Sequence, residues 1–140
     1  MATVILRSQD NLKQFVNVRD HQLIVDEPSK VGGDDAGPDP YEYLLAGLAG
    51  CTAITLLMYA RRKKWDLQEV EITVTNTRIH SRDCQHCDKE HDGYIDEIER
   101  NLILRGNLDP DQRQRLAYIA TRCPVARTLT SPTHIHDSIA

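Results

Sequence analysis

The chain has 140 residues, 40% of them hydrophobic and 27% charged, which is the composition of one ordinary folded domain and excludes an intrinsically disordered chain. Its net charge of −4 and pI near 5.8 give no electrostatic footprint for nucleic acid. One Trp, one Phe and five Tyr leave the core to be built from Leu, Ile, Val and Ala.

The first residues, MATVILRSQDNLKQF, turn polar after six positions and hold no long apolar run. No signal peptide is therefore read, and the expected location is cytoplasmic. Structural disulfides are rare there, so four cysteines demand burial, metal or redox chemistry. Residues 1–27 read as three strands: TVILRS, QFVNVRD with alternating apolar positions, and HQLIVDEP stopped by Pro28. The segment 28–39 is a loop rich in Gly and Pro. A helix is predicted over 40–63, with Asp39 as N-cap, Pro40 in the first position and Glu42 in the first turn. Its basic end, Arg61 to Lys64, complements the dipole.

The alternation of Val70, Ile72 and Val74 predicts a strand from 67 to 80. A polar insert, SRDCQHCDKEHDG, follows, and YIDEIERNLILRG reads as the returning strand, so that 67–105 is strand, insert, strand. Residues 109–130 form a second helix pair. Asp109 caps, Pro110 starts, and Leu116, Ile119 and Ala120 share a face; Cys123 before Pro124 then caps a short helix. The tail THIHDSIA reads as a last strand. The whole of 1–140 is thus a single α+β domain without repeats or βαβ alternation.

Leu44 to Ala60 is 17 residues without a charge, the lower edge of a membrane span. Gly47, Gly50, Thr52 and Thr55, and the lack of a second apolar segment, argue against a span. A helix apolar on nearly all sides must otherwise be covered on nearly all sides. The expectation is a central helix packed on its own sheet and on a second subunit, in an intertwined homodimer. Cys51 within it is either a small hydrophobe filling a gap or a sheltered reactive sulfur beside small residues. Cys123 is either a plain cap or a thiol pushed toward thiolate by helix-start amides, with Arg122 and Arg127 nearby. The two lie 72 positions apart, and spacing does not say whether they meet.

The blocks GPDPYEYLLAGLAGCTAITLLMYARRKKW and RLAYIATRCPVARTL together resemble the superfamily of osmotically inducible protein C (OsmC) and organic hydroperoxide resistance (Ohr) proteins. Within it, the chain looks most like the OsmC-like, YhfA-like redox-protein branch. The resemblance implies antiparallel sheets wrapped around two central helices in an intertwined homodimer, with active sites at the subunit interface. It also implies a thiol peroxidase that defends against organic hydroperoxides. Cys51 matches the peroxidatic cysteine and Cys123 the resolving one, and a dithiol such as dihydrolipoamide restores the pair.

Two positions depart from the family pattern. The catalytic Glu expected ten residues before the first cysteine is Tyr41, with the acid, Glu42, one residue later. An Arg expected further upstream has Lys30 as its nearest counterpart, so Glu42 and Lys30 stand as the catalytic and substrate-binding candidates. Arg19, Arg61 and Arg62 are other cations available to the site. The alternative function on the same fold is a redox sensor or small-ligand-binding protein.

In the insert, Cys84 and Cys87 form C-x-x-C beside His86 and His91, with His80 close by. This is ligand chemistry for zinc, equally for redox exchange, and also the composition of a polar hairpin tip with reduced thiols. The expected peroxidase chemistry itself requires no cofactor. His21, His134 and His136 read as surface or strand residues.

Overall fold

Alternating β-branched and polar residues build three short strands at the start of the chain: β1 (Ile5–Ser8), β2 (Gln14–Val18) and β3 (His21–Val25). They form an antiparallel meander in which Leu6 faces Val16 and Val16 faces Leu23. The structure, a computed structural model, describes residues 1–84 and 93–140, divided into units Met1–Leu44 and Leu45–Ala140.

In the first unit β3 ends at Val25 because the next side chain turns the backbone. Asp26 is buried, and its carboxylate accepts from the amides of Glu27 (2.8 Å), Ala36 (3.0 Å) and Asp34 (3.3 Å). One side chain thus satisfies three donors of the loop that follows. That loop passes so close that a Cβ at Gly33 would collide with the Glu27 carbonyl. A short 3-10 turn, Ser29–Val31, carries Lys30 on the surface.

Helix α1 (Pro40–Lys63) starts where Asp39 accepts from the Glu42 amide at 2.8 Å, and ends on three cations before the left-handed Lys64. Its boundaries are those expected from the sequence. It carries the chain from the first unit into the second.

The second unit is built on two long strands, β4 (Asp66–His80) and β5 (Tyr94–Asn107), paired antiparallel with a bulge between Leu67 and Glu69. At the base of the hairpin Gly106 has φ +149°, and a Cβ there would meet the Asp66 carbonyl. Period-two burial gives an inner stripe of Val70, Ile72 and Val74 facing Leu104, Leu102 and Arg100. On the outer face Arg105 pairs with Glu69 (3.3 Å) and Glu71 (2.7 Å), and Arg78 with Asp96 (3.6 Å).

Helix α2 (Pro110–Ala120) opens with a reciprocal capping box between Asp109 and Gln112. Leu56 and Tyr59 of α1, Leu116, Ile119 and Ala120 of α2, and the inner stripe residues Val70, Leu102 and Leu104 form the core. Trp65 closes its end, edge-on to Tyr59 with ring centroids 5.6 Å apart. Helix α3 (Pro124–Thr130) follows at once.

The tail does not form the expected last strand: residues 132–140 have no regular secondary structure. Ile135 and Ile139 are both exposed, so no apolar face is available to hold the segment on a sheet.

By length and composition α1 is apolar enough to cross a membrane, yet only 28% of its most apolar 18-residue window is buried within this chain. Leu44, Ile54 and Met58 are among its exposed apolar residues.

Candidate active site: a convergent thiol pair

Cys51 lies on α1, half-buried, and Cys123 caps α3 with its side chain wholly buried. The two elements meet because the core between α1 and α2 fixes the end of α2, three residues before Cys123. Thiols 72 positions apart in sequence therefore come within hydrogen-bonding reach of each other. The Val125 amide faces both sulfurs.

The two thiols are driven in opposite directions. Burial pushes Cys51 above the ordinary thiol value, and the neighbouring Cys123 adds to this; the Val125 amide and Thr55 offset part of it. Burial acts on Cys123 as well. There, however, the Ala126 amide, the Thr52 hydroxyl, the Cys51 thiol and the Val125 amide outweigh it, and the net shift is downward. No capping bond of full geometry reaches the Cys123 sulfur, so its amides act as a nearby field rather than as a tight cap. Of the two, Cys123 is therefore the thiol more readily ionised, and Cys51 is the one held toward its S–H form. Arg122 and Arg127 are both exposed.

Thr52, next to Cys51, is fully buried and joins this pair to the sheet. Its hydroxyl bonds the Leu48 carbonyl at 2.8 Å and accepts from Arg100 Nη1 at 2.8 Å. The same Arg100 nitrogen also donates to the Ala120 carbonyl at 3.2 Å. Sequence reading used Thr52 only against a membrane span and passed over Arg100. A signal was present: Arg100 falls in register with Ile98, Leu102 and Leu104, where an apolar residue belongs.

A cleft of about 620 Å³ opens beside the thiols, bounded by Thr55, whose hydroxyl bonds the Cys51 carbonyl, and by Pro124. Met58, Tyr59, Ile119, Arg62, Arg115 and Arg122 complete its lining. Tyr59 is stacked by cations, with Arg62 at 5.3 Å and Arg115 at 5.7 Å from the ring centroid. Arg115 Nε donates to its hydroxyl at 3.0 Å and thereby lowers the phenol pKa.

Glu42 and Lys30 belong to the first unit and the sulfur pair to the second. Glu42 is exposed in the first turn of α1, and the Asp39 carboxylate beside it raises its pKa. Tyr41 is exposed, and Arg19 sits at φ 53° in the turn from β2 to β3.

Of the proposed zinc ligands, His86, Cys87 and His91 lie outside the described residues. Cys84 follows a 3-10 turn, Ser81–Asp83, and is disulfide-bonded. Among the described residues no group of three His, Cys, Asp or Glu side chains is placed to hold a metal.

Antiparallel sheets with three helices and a convergent thiol pair define an α+β protein of the OsmC/Ohr fold, and solved structures agree. An OsmC-like protein from Mycoplasma pneumoniae superposes with a TM-score of 0.71 at 19% identity, over 92% of this chain and 86% of that one. An organic hydroperoxide resistance protein OsmC from Legionella pneumophila gives 0.66 at 17%, over 93% and 89%. An organic hydroperoxide resistance protein from Elizabethkingia anophelis gives 0.66 at 18%, over 93% and 88%. No curated protein sequence matches significantly. The family profile for OsmC-like protein matches residues 32–136, and the chain belongs to that family.

Proposed function

We propose that this protein reduces organic hydroperoxides with Cys51 as the attacking and Cys123 as the resolving thiol, in defence against oxidative stress. The observation that carries this reading is the contact between the two sulfurs, with Cys123 buried and the more accessible sulfur on Cys51. Fold relatives described as organic hydroperoxide resistance proteins support it. So does the cleft that reaches Thr55 and Pro124, next to the two thiols, whose lining includes Met58, Tyr59 and Ile119 for an organic body.

The proton inventory closes on these two residues. Cys51 passes its proton to the Cys123 thiolate and attacks the terminal oxygen of the hydroperoxide. The O–O bond breaks and the hydroxyl stays on sulfur as a sulfenic acid, so that Cys51 is oxidised by two electrons. The departing alkoxide takes the proton back from Cys123 and leaves as the alcohol. Cys123, again a thiolate, attacks the sulfenic sulfur; the S–S bond forms and hydroxide leaves, protonated by solvent to water. An external dithiol of the dihydrolipoamide type reduces the disulfide by exchange and is itself oxidised to a disulfide.

A second reading, a redox sensor of the same fold, is favoured by one observation: burial holds Cys51 toward its thiol form, which slows attack. One assay separates the two. Turnover of cumene hydroperoxide with dihydrolipoamide is measured for the wild type and for Cys51→Ser. Sustained turnover lost in Cys51→Ser supports the reductase. Oxidation that halts after one equivalent supports the sensor, and turnover surviving in Cys51→Ser removes Cys51 from the chemistry.

We further propose a homodimer, with α1 as the shared element. A helix apolar on all sides but only partly covered by its own chain needs another apolar surface, and a second copy supplies it with the same helix.

A further inference from the structure

The inner stripe of β5 contains one residue that packing does not explain. Ile98, Leu102 and Leu104 face inward, and Arg100 occupies the same face. A cation placed there requires compensation. Among the described residues no carboxylate lies within ion-pair distance of it; its partners are the Thr52 hydroxyl and the Ala120 carbonyl. Thr52 in turn lies against the Cys123 sulfur.

We propose that Arg100 is a positioning residue which acts through the Thr52 hydroxyl to hold negative charge on the Cys123 sulfur. The proposal rests on the hydroperoxide-reducing reading for its purpose, and for its existence on the Arg100–Thr52 bond and the approach of Thr52 to Cys123.

The hydroxyl has one proton and two directions in which to donate it. Toward Leu48 it bonds a helix carbonyl at 2.8 Å, and that carbonyl already receives the Thr52 backbone amide in the helical ladder. Toward Cys123 it reaches a sulfur where it joins the Ala126 and Val125 amides and the Cys51 thiol in favouring the thiolate. Turning to the sulfur therefore leaves no helix carbonyl unpaired. Arg100 biases the choice in two ways. Its N–H fills a lone pair of Oγ1, which fixes the side chain in place. The donated charge also polarises the O–H and makes it a stronger donor to the next group in the chain.

Among the described residues, the groups that act most strongly on Cys123 are Cys51 and Thr52 from α1 and the Val125 and Ala126 amides from the start of α3. Arg122, its sequence neighbour, is exposed, whereas Arg100 brings a full charge to this path from behind Thr52. It serves the resolving step, because Cys123 must be a thiolate again once the alcohol has left.

The test reads ionisation directly. Protein with ¹³Cβ-labelled cysteine is titrated by NMR in the reduced state, and Cys123 is assigned by its loss in Cys123→Ser. Arg100→Met is expected to raise the Cys123 midpoint by about one pH unit, about tenfold in ionisation constant. Arg100→Lys, which keeps charge and a donor, is expected to recover part of that shift. Thr52→Val is expected to match Arg100→Met, with no further change in the double variant.

An unchanged midpoint in Arg100→Met, even with a lowered melting temperature, overturns the proposal. So do additive shifts in the double variant. If Arg100→Met does not fold, Thr52→Val alone decides: an unshifted midpoint there overturns the relay. No peroxide is used, so an inactive protein that shows the shift sinks the hydroperoxide reading and leaves this one standing.

Discussion

Leu56→Ala probes how packing sets the thiol geometry. Leu56 is fully enclosed between α1 and α2, against Tyr59, Leu116, Ile119 and Ala120. It sits one turn after Thr52 on the helix that carries Cys51, and its partners on α2 lie one turn before Cys123. The substitution removes three buried carbons, about 2.4 kcal/mol of transfer free energy at about 0.8 kcal/mol per methylene. A residual cavity between two helices adds to this, for a total loss of about 3–4 kcal/mol. In a chain of this length that corresponds to a melting temperature lower by about 10 °C. Urea unfolding of the reduced protein, at one protein concentration for both forms, measures the loss. Because the cavity lies between the two elements that bring the sulfurs together, disulfide formation after one equivalent of hydroperoxide should slow in parallel. A loss below about 1 kcal/mol would mean that the α1–α2 contact is not the core it is taken to be. Full destabilisation with unchanged disulfide kinetics would separate packing from the site.

Asp26→Asn should lower the melting temperature at neutral pH, because the Ala36, Glu27 and Asp34 amides favour the carboxylate. Its pKa is depressed below 3.8, so this contribution is present above that value and is lost as pH falls through the lower folded value. Melts followed by circular dichroism should show the gap between the two proteins closing below pH 3.8, and a constant gap refutes the argument. Met58→Glu places a charge on the exposed apolar face of α1 and should convert a dimer to a monomer in light scattering; an unchanged mass moves the interface elsewhere. Asp109→Ala breaks the capping box and should cost about 1 kcal/mol in urea unfolding, and no loss would deny the cap.

Local rules account for much of the architecture. Asp39–Pro40 and Asp109–Pro110 mark helix starts because capping is decided within four residues, and both helices begin there. The inner and outer faces of β4 follow from period-two alternation in the same way. The site divides differently. Cys51 and Cys123 were legible through family resemblance, but their contact depends on the α1–α2 core, which no spacing encodes. Arg100 was overlooked because charges at Glu97, Glu99 and Arg100 blur the alternation with Ile98, Leu102 and Leu104; pairing with Val74 confirms it on the inner face. Asp26 read as the end of a strand, since its three amide partners lie on a loop that sequence alone does not fold back. The tail, read as a strand, has no regular secondary structure, and its Ile135 and Ile139 are exposed.

The measurement closest to the centre of this account is peptide mapping under non-reducing conditions, after the reduced protein has met one equivalent of cumene hydroperoxide. A Cys51–Cys123 disulfide formed in step with loss of the peroxide is the predicted result. Peroxide consumed without that cross-link, or a cross-link that forms equally well without peroxide consumption, would contradict it.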